Sequence, residues 1–248
     1  MPMIEEMHSA GTWLFRWRSY LPLVTFVLIL AAMGQFSYPF DSHGLDQLWE
    51  LICLGVSLGG LLIRVLIVGY TPRGTSGRNT RRQVAESLNT DGLYSIVRNP
   101  LYLGNFLVGV GPVLVLRVGW APVIYALLFM LYYERIIFAE EMFLREKFGP
   151  AYIEWASHTP AFFPRFSNWQ PPQHLFNWRQ VLRREHQTLF LIISVYYLVE
   201  IAGEWRLGHA LFADALWNGL AIAGLFLFGA VRWLRNRTTL LSDPAPAT

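Results

Sequence analysis

Charge is scarce in this chain. Of its 248 residues only 15% are charged while 54% are hydrophobic. Ordinary globular domains carry roughly 25% charged residues, so the shortfall argues against a soluble fold. Lysine is almost missing: of the 20 basic residues, all but Lys147 are arginine. Arginine makes planar, bidentate contacts with phosphates and carboxylates and suits an anionic headgroup surface; a codon bias towards arginine gives the same composition. Cysteine occurs once, as Cys53 inside an apolar run, so no disulfide forms within one chain. The six histidines (His8, His43, His158, His174, His186 and His209) show no metal-ligand spacing, and no metal site is expected. The N-terminus lacks a basic start followed by a short apolar core and a small-residue cleavage site, so a removed signal peptide is not expected.

Long apolar runs are what the chain does have, with 10 Trp and 17 Phe among them. Crossing a bilayer core takes about 20 mostly apolar residues in a helix. Six stretches are read as spans: 20–40, 46–70, 99–116, 118–133, 187–202 and 215–231. Only Arg117 separates the third from the fourth, with Gly119 and Pro122 close behind, which predicts a tight helical hairpin. Both hairpin helices are short, so tilt or local thinning must make up the length. Six spans put both termini on one side. Seventeen of the 20 basic residues fall on that side, and the positive-inside rule makes it cytoplasmic. Asp41, Asp46 and Asp214 fall at the other face, and Trp13, Trp17, Tyr20, Trp120, Trp205 and Trp233 fall near interfaces. Arg64 lies roughly 9 Å deep at helical rise; it either snorkels to the interface or lines a polar cavity. The expected fold is an all-α polytopic membrane helix bundle of about six transmembrane helices with cytoplasmic interfacial helices. It divides into an N-terminal helix pair at 1–70, a core at 71–165, and an interfacial linker with the C-terminal pair at 166–248.

Two cytoplasmic segments are polar enough for chemistry. The loop from 71 to 98 carries Gly74, Thr75, Ser76, Gly77, Arg78, Asn79 and Thr80 in sequence. Glycines, hydroxyls and arginine can surround an anion; the same composition also makes an ordinary solvated loop near acidic lipids. The segment from 134 to 185 interleaves aromatics with Glu140, Glu141, Arg145, Glu146 and Lys147. It reads as amphipathic helices along the interface, the first ended by Gly149-Pro150. Within these segments Arg98, Asn99 and Pro100 stand where the chain enters the membrane, with Pro100 in a first helical turn that tolerates it. The N-terminus of that helix offers free N–H groups to a carboxylate. Glu134-Arg135 and Glu140-Glu141 gather at the exit of the fourth span, and ionisable groups at a membrane boundary are a functional hypothesis.

At these residues the sequence resembles the membrane methyltransferases related to isoprenylcysteine carboxyl methyltransferase and phospholipid N-methyltransferase. Their signature, Gly-x-Tyr-x-x-x-Arg-His-Pro-x-Tyr-x-Gly, stands here from Gly92 through Tyr94, Arg98, Asn99, Pro100 and Tyr102 to Gly104. The family's following Arg, Glu pair, Leu, Phe-Gly and Tyr match Arg135, Glu140-Glu141, Leu144, Phe148-Gly149 and Tyr152. The resemblance runs over residues 85–165. The usual family His is Asn99 here, which keeps a hydrogen-bonding amide but accepts no proton.

The resemblance implies S-adenosyl-L-methionine as methyl donor, bound without a Rossmann fold, so Gly109-Val110-Gly111 is read as a close helix contact and not as a dinucleotide motif. It implies a cofactor pocket of Leu88, Tyr94, Asn99, Pro100, Leu101 and Tyr102 with Glu140 and Glu141. Arg135 and Glu140 are expected in catalysis, and Arg78, Arg98 and Arg135 at the substrate. The implied partner is a membrane lipid or lipidated substrate, and no nucleic acid is expected. Methyl transfer is chiefly a positioning task. A carboxylate or phosphate acceptor needs an arginine to hold it, whereas an amine acceptor must lose a proton to a base such as Glu140. The arginine-rich loop favours the anionic acceptor, with an amine headgroup second. A non-enzymatic scaffold or small transporter is the competing class, but a transporter favours midplane charges and repeat symmetry, and neither is clear in the sequence.

Overall fold

The computed structural model describes residues 2–72, 83, 85–209 and 213–241. The chain opens with α1 (Met3–Trp17) and α2 (Leu21–Met33), joined by a 3-10 turn and set at 64° to each other. Gly34 ends α2, and a 3-10 step at Pro39–Asp41 turns the chain, with Phe40 at a left-handed φ of 52°. Pro39 cannot donate to a continuing helix. The expected first span, 20–40, is therefore helical over 13 residues only, about 20 Å of rise.

Ser42 then accepts from the Leu45 amide at 3.4 Å and starts α3 (His43–Tyr70), 28 residues long. That is about 42 Å, more than a ~30 Å hydrocarbon core needs. After the short α4 (Leu93–Ile96), Pro100 opens α5 (Pro100–Val115). Arg117, at φ 55°, turns the chain back, and α6 (Trp120–Phe148) descends beside α5, forming the expected tight hairpin. Gly149, at φ 52°, ends α6, and α7 (Pro150–His158) follows. Asn177 caps α8 (Trp178–Arg206) by accepting from the Gln180 amide at 3.1 Å. Last comes α9 (Ala215–Arg237).

One expectation is corrected here. The fourth span and the helix that follows it are a single 29-residue element, α6. Nothing between Tyr133 and Phe148 is a helix breaker, so the run continues past the apolar stretch and carries Glu140 and Glu141 outward on the same rod.

α3 and α5 pack most closely. A Cβ on Gly60 would stand 2.6 Å from the Gly104 carbonyl oxygen, and one on Gly111 would meet Ser57 Oγ at 2.1 Å. Small residues are what let membrane helices approach in this way, so Gly111 serves packing, as read from the sequence. Ser57 Oγ also contacts the Val108 carbonyl and the Tyr196 hydroxyl, each at 3.1 Å, tying α3 to α5 and α8. Tyr196 stacks on Trp217 of α9 with ring centroids 5.4 Å apart.

The outer surface is apolar. Leu48, Leu58 and Leu62 of α3, Leu127 and Leu131 of α6, and Ile222 and Phe226 of α9 are all exposed. Patches of this extent do not face water in soluble monomers; they face lipid. The six aromatics assigned to interfaces are likewise exposed. Among the described residues, four helices are long and apolar enough to cross a membrane, or five if the bent α1–α2 pair is one span. α5, with 16 residues, is apolar but shorter. This is a multi-pass, all-α membrane protein; a count of six requires both short helices, α2 and α5, to cross.

Candidate active site

The motif 92–104 is held by a strap made of residues 159–173. Gly92 N donates to Gln170 O at 3.0 Å, Arg98 N to Pro160 O at 2.8 Å, and Arg165 N to Ile96 O at 2.9 Å. Trp155 Nε1 donates to Tyr94 O at 3.2 Å, and Asn99 Nδ2 to Ala161 O at 3.0 Å. Asn99, where the resembling family has His, thus clasps the strap with its side-chain amide. These bonds fix α4 and the N-terminus of α5 at the edge of a cavity of about 570 Å³. That size lies within the roughly 300–1,000 Å³ range of small-molecule sites.

Tyr133, Glu140 and Leu144 of α6 line the opposite wall. At 3.6 residues per turn they share one face of the helix to within about 40°. Tyr102 donates to Glu140 Oε2 at 2.8 Å, closing α5 onto α6. The Tyr102 and Tyr133 rings lie 4.4 Å apart, and Asn105 Nδ2 donates to the Tyr133 hydroxyl at 3.3 Å. Arg64 projects from α3, bonded to Asn105 and doubly to Glu185 of α8 at 2.8 and 2.9 Å.

The remaining wall comes from the chain's beginning. α1 docks on α6 at Gly11, where a Cβ would stand 2.0 Å from the Arg135 carbonyl oxygen. Tyr132 donates to the Leu14 carbonyl at 3.0 Å. This brings Phe15 and Arg18 to the cavity, with Arg18 Nη1 3.5 Å from Glu140 Oε1.

Among the described residues, four guanidiniums (Arg18, Arg64, Arg98 and Arg184) line the cavity against one carboxylate, Glu140. Glu141 and Glu185 hold Arg98 and Arg64 at 3.1 and 2.8 Å without lining it. Arg98 Nε, Glu141 Oε1 and the Tyr152 hydroxyl are buried without a well-formed hydrogen bond. Burial, then the charge of Glu140, pushes the Tyr94 phenol well above its ordinary pKa. Burial, then the charge of Glu141, pushes Tyr152 up to about 12. Neither phenol ionises near neutrality.

Leu88, Tyr94, Asn99, Pro100, Leu101, Tyr102 and Glu140, all expected at the cofactor, line this cavity, as does Arg98. Glu141 does not; it stands behind Arg98. Arg135, expected in catalysis and at the substrate, is also absent from the lining. It lies about 160° around α6 from the wall of Tyr133, Glu140 and Leu144, on the turn that packs against Gly11. Arg78 and the rest of 74–80 lie outside the described residues. Phe15, Arg18, Asn105, Tyr133 and Arg184 were not anticipated. For Tyr133 the signal was present, in its helical phase with Glu140; for Phe15, Arg18 and Arg184 only the tertiary fold supplies it.

Residues 52–151 match the family described as Phospholipid methyltransferase. The cobalt-zinc-cadmium resistance protein CzcN of Cupriavidus metallidurans is 33% identical over 162 residues, 64% of this chain and 65% of its own. The nickel-cobalt-cadmium resistance protein NccN of Alcaligenes xylosoxydans xylosoxydans is 32% identical over 162 residues, 64% and 66% respectively. Protein-S-isoprenylcysteine O-methyltransferase B of Arabidopsis thaliana is 29% identical over 124 residues, 49% and 63%. The chain thus spans just under two thirds of the length of these relatives. No solved structure matches it. The matched segment contains Arg64, the hairpin and every cavity residue of α5 and α6. Over residues 52–151 the chain is therefore similar to the membrane methyltransferases described as phospholipid methyltransferase, and it resembles an isoprenylcysteine O-methyltransferase over 124 residues.

Proposed function

We propose that the chain is an S-adenosylmethionine-dependent membrane methyltransferase that methylates an anionic oxygen, phosphate or carboxylate, on a lipid or lipidated substrate. The observation that carries this is the cavity between the strap-held motif and α6, where, among the described residues, four guanidiniums meet one carboxylate. The methyl donor contains a sulfonium, an amino-acid carboxylate and an aromatic base, and the residues present fit such a group. Tyr94, Tyr102 and Tyr133 offer ring faces to a cation. Glu140 offers it a carboxylate, and the α5 N-terminus at Asn99–Tyr102 suits an anion. Leu88, Leu101 and Leu144 offer apolar walls. When bound, S-adenosylmethionine supplies an electrophilic methyl for displacement by the acceptor.

The chain's own task is positioning. Glu140, already engaged by Tyr102 and Arg18, orients and does not have to take a proton from an anionic acceptor. Arg98, steadied by Glu141, and Arg18 are the groups we assign to the acceptor's charge. Phe15 and Phe143 at the wall exclude water from it. We place this end of the bundle, both termini included, on the cytoplasmic side of a bacterial inner membrane, where the basic residues concentrate.

The test is radiolabelled methyl incorporation into extracted lipids and lipidated peptides. Label in base-labile esters supports the reading; label confined to amine headgroups replaces it with N-methylation. Thermal unfolding of the detergent-solubilised protein with S-adenosylhomocysteine tests the cofactor. A stabilising shift is expected, and its absence would remove the basis for methyl transfer.

A further inference from the structure

At the far end of the bundle, about 27 Å along α3 from Arg64, negative charge is buried with little to balance it. His43, Asp46 and Glu50 follow one face of α3. Glu200 lies on α8, and Asp214 immediately precedes α9. Ligand atoms of His43, Glu200 and Asp214 all lie within 4.8 Å of one another, as do those of Asp46, Glu50 and Glu200. Glu200 joins the two groups. Asp46, Glu50 and Glu200 are only 3%, 2% and 3% exposed.

The surroundings satisfy some of these groups. Arg117 Nη1 holds Asp46 at 2.5 Å, and Trp217 Nε1 donates to Glu50 at 2.7 Å. Asp214 meets His43 Nε2 at 3.1 Å and Gln47 Nε2 at 3.5 Å. Glu200 is different. Its hydrogen-bond partner is another acid, the Glu50 carboxyl, and the His43 and Asp46 ligand atoms of the same helix lie within 4.8 Å of it. Two carboxyl groups so placed out of water need a proton or a cation between them. The set is also not purely acidic: it contains an imidazole. Imidazole suits zinc, copper, iron and nickel, whereas magnesium and calcium favour all-oxygen shells. His43 and Asp214 keep 49% and 25% of their side chains exposed, which leaves an approach from solvent.

We propose that His43, Glu200 and Asp214, backed by Asp46 and Glu50, bind one divalent transition-metal ion of the zinc type at the end of the bundle remote from the methyl-transfer cavity. The ion clips α3, α8 and the start of α9 together and neutralises Glu200. Linear spacing does not reveal the site, because His43 and Asp214 stand far apart in sequence and meet only when these helices pack.

Calorimetric titration of the detergent-solubilised full chain with Zn²⁺ tests this, with Mg²⁺ as the counter-probe. One Zn²⁺ per chain is expected. Glu200→Gln and His43→Ala should each weaken binding by at least about tenfold, while His174→Ala, an exposed position in the strap region, should leave it unchanged. The visible spectrum of the Co²⁺-loaded wild type gives a second reading: d–d bands that disappear on addition of Zn²⁺ are expected. The proposal fails if Zn²⁺ does not bind, if both variants bind it as the wild type does, or if Mg²⁺ binds equally well. None of these readings involves the methyl donor, so their failure leaves the methyl-transfer reading to its own test.

Discussion

Arg64 and Glu185 are joined by two parallel hydrogen bonds, Nε to Oε2 at 2.8 Å and Nη2 to Oε1 at 2.9 Å. The pair ties α3, inside the family-matched segment, to α8, outside it. Of the two roles expected for Arg64 in an apolar helix, the structure shows the polar-cavity one: it lines the cavity. The side chains are 15% and 4% exposed, so removing Glu185 leaves the largely buried Arg64 charge without its carboxylate partner. Glu185→Ala should lower the unfolding free energy in detergent by about 3–5 kcal/mol, and the double variant Arg64→Met, Glu185→Leu should recover most of it. Chemical denaturation of the three proteins side by side measures this; a Glu185→Ala protein as stable as wild type would contradict it.

The Tyr102–Glu140 bond is the second such relationship, 2.8 Å across the cavity. In Tyr102→Phe the ring packing against Tyr133 remains and only the donor is lost. Hydrogen bonds to charged groups contribute about 1.5–3 kcal/mol, so S-adenosylhomocysteine affinity should fall about tenfold or more if Glu140 must be oriented to bind. Glu140→Gln keeps the shape but removes the charge, and should reduce the thermal shift given by S-adenosylmethionine, whose sulfur is cationic, more than that given by S-adenosylhomocysteine, whose sulfur is neutral. Equal shifts in wild type and both variants would remove Glu140 from the cofactor site.

Much of this site was legible in the chain. Pro100 in a first turn, Tyr94 and Tyr102 at motif spacing, and a Glu pair past an apolar run located the cavity's two main walls. Helical phase was enough to set Arg135 apart from Glu140, since residues five apart on a helix lie on different faces. What the chain conceals is whatever depends on distant pieces meeting. Arg18 reads as a topogenic charge until Gly11 lets α1 lie against α6. Glu185 reads as one more charge in an interfacial segment until α8 packs on α3. The first span was over-extended because the residues after Met33 are apolar enough to continue it, whereas Gly34 and Pro39 govern the backbone.

The α1 contact gives a third prediction. Gly11→Val places a branched side chain where even a Cβ would stand 2.0 Å from the Arg135 carbonyl. α1 must then lift from α6, carrying Phe15 and Arg18 away from the cavity, while α3, α5, α8 and α9 keep their own contacts. The variant should remain folded, lose most methyl transfer, and be cut by trypsin after Arg16 or Arg18 at a concentration that spares the wild type. Full activity in Gly11→Val would mean that α1 is dispensable to the site.

Tyr152 supplies a prediction in pH. It is buried beside Arg98 and Glu141, and its phenol rises from the ordinary 10.0 to about 12, chiefly through burial. Between those two values the folded chain binds the phenolic proton more tightly than the unfolded chain does. By linkage, its contribution to stability is complete below about pH 10 and is lost as pH rises towards 12. Thermal unfolding in detergent should therefore show a midpoint that declines above about pH 10, and Tyr152→Phe, which has no proton to lose, should decline less steeply over the same interval. Arginine stays charged throughout, so the Arg98–Glu141 pair is constant across the comparison. Parallel declines in the two proteins would show that Tyr152 ionises as freely in the folded state as in the unfolded one.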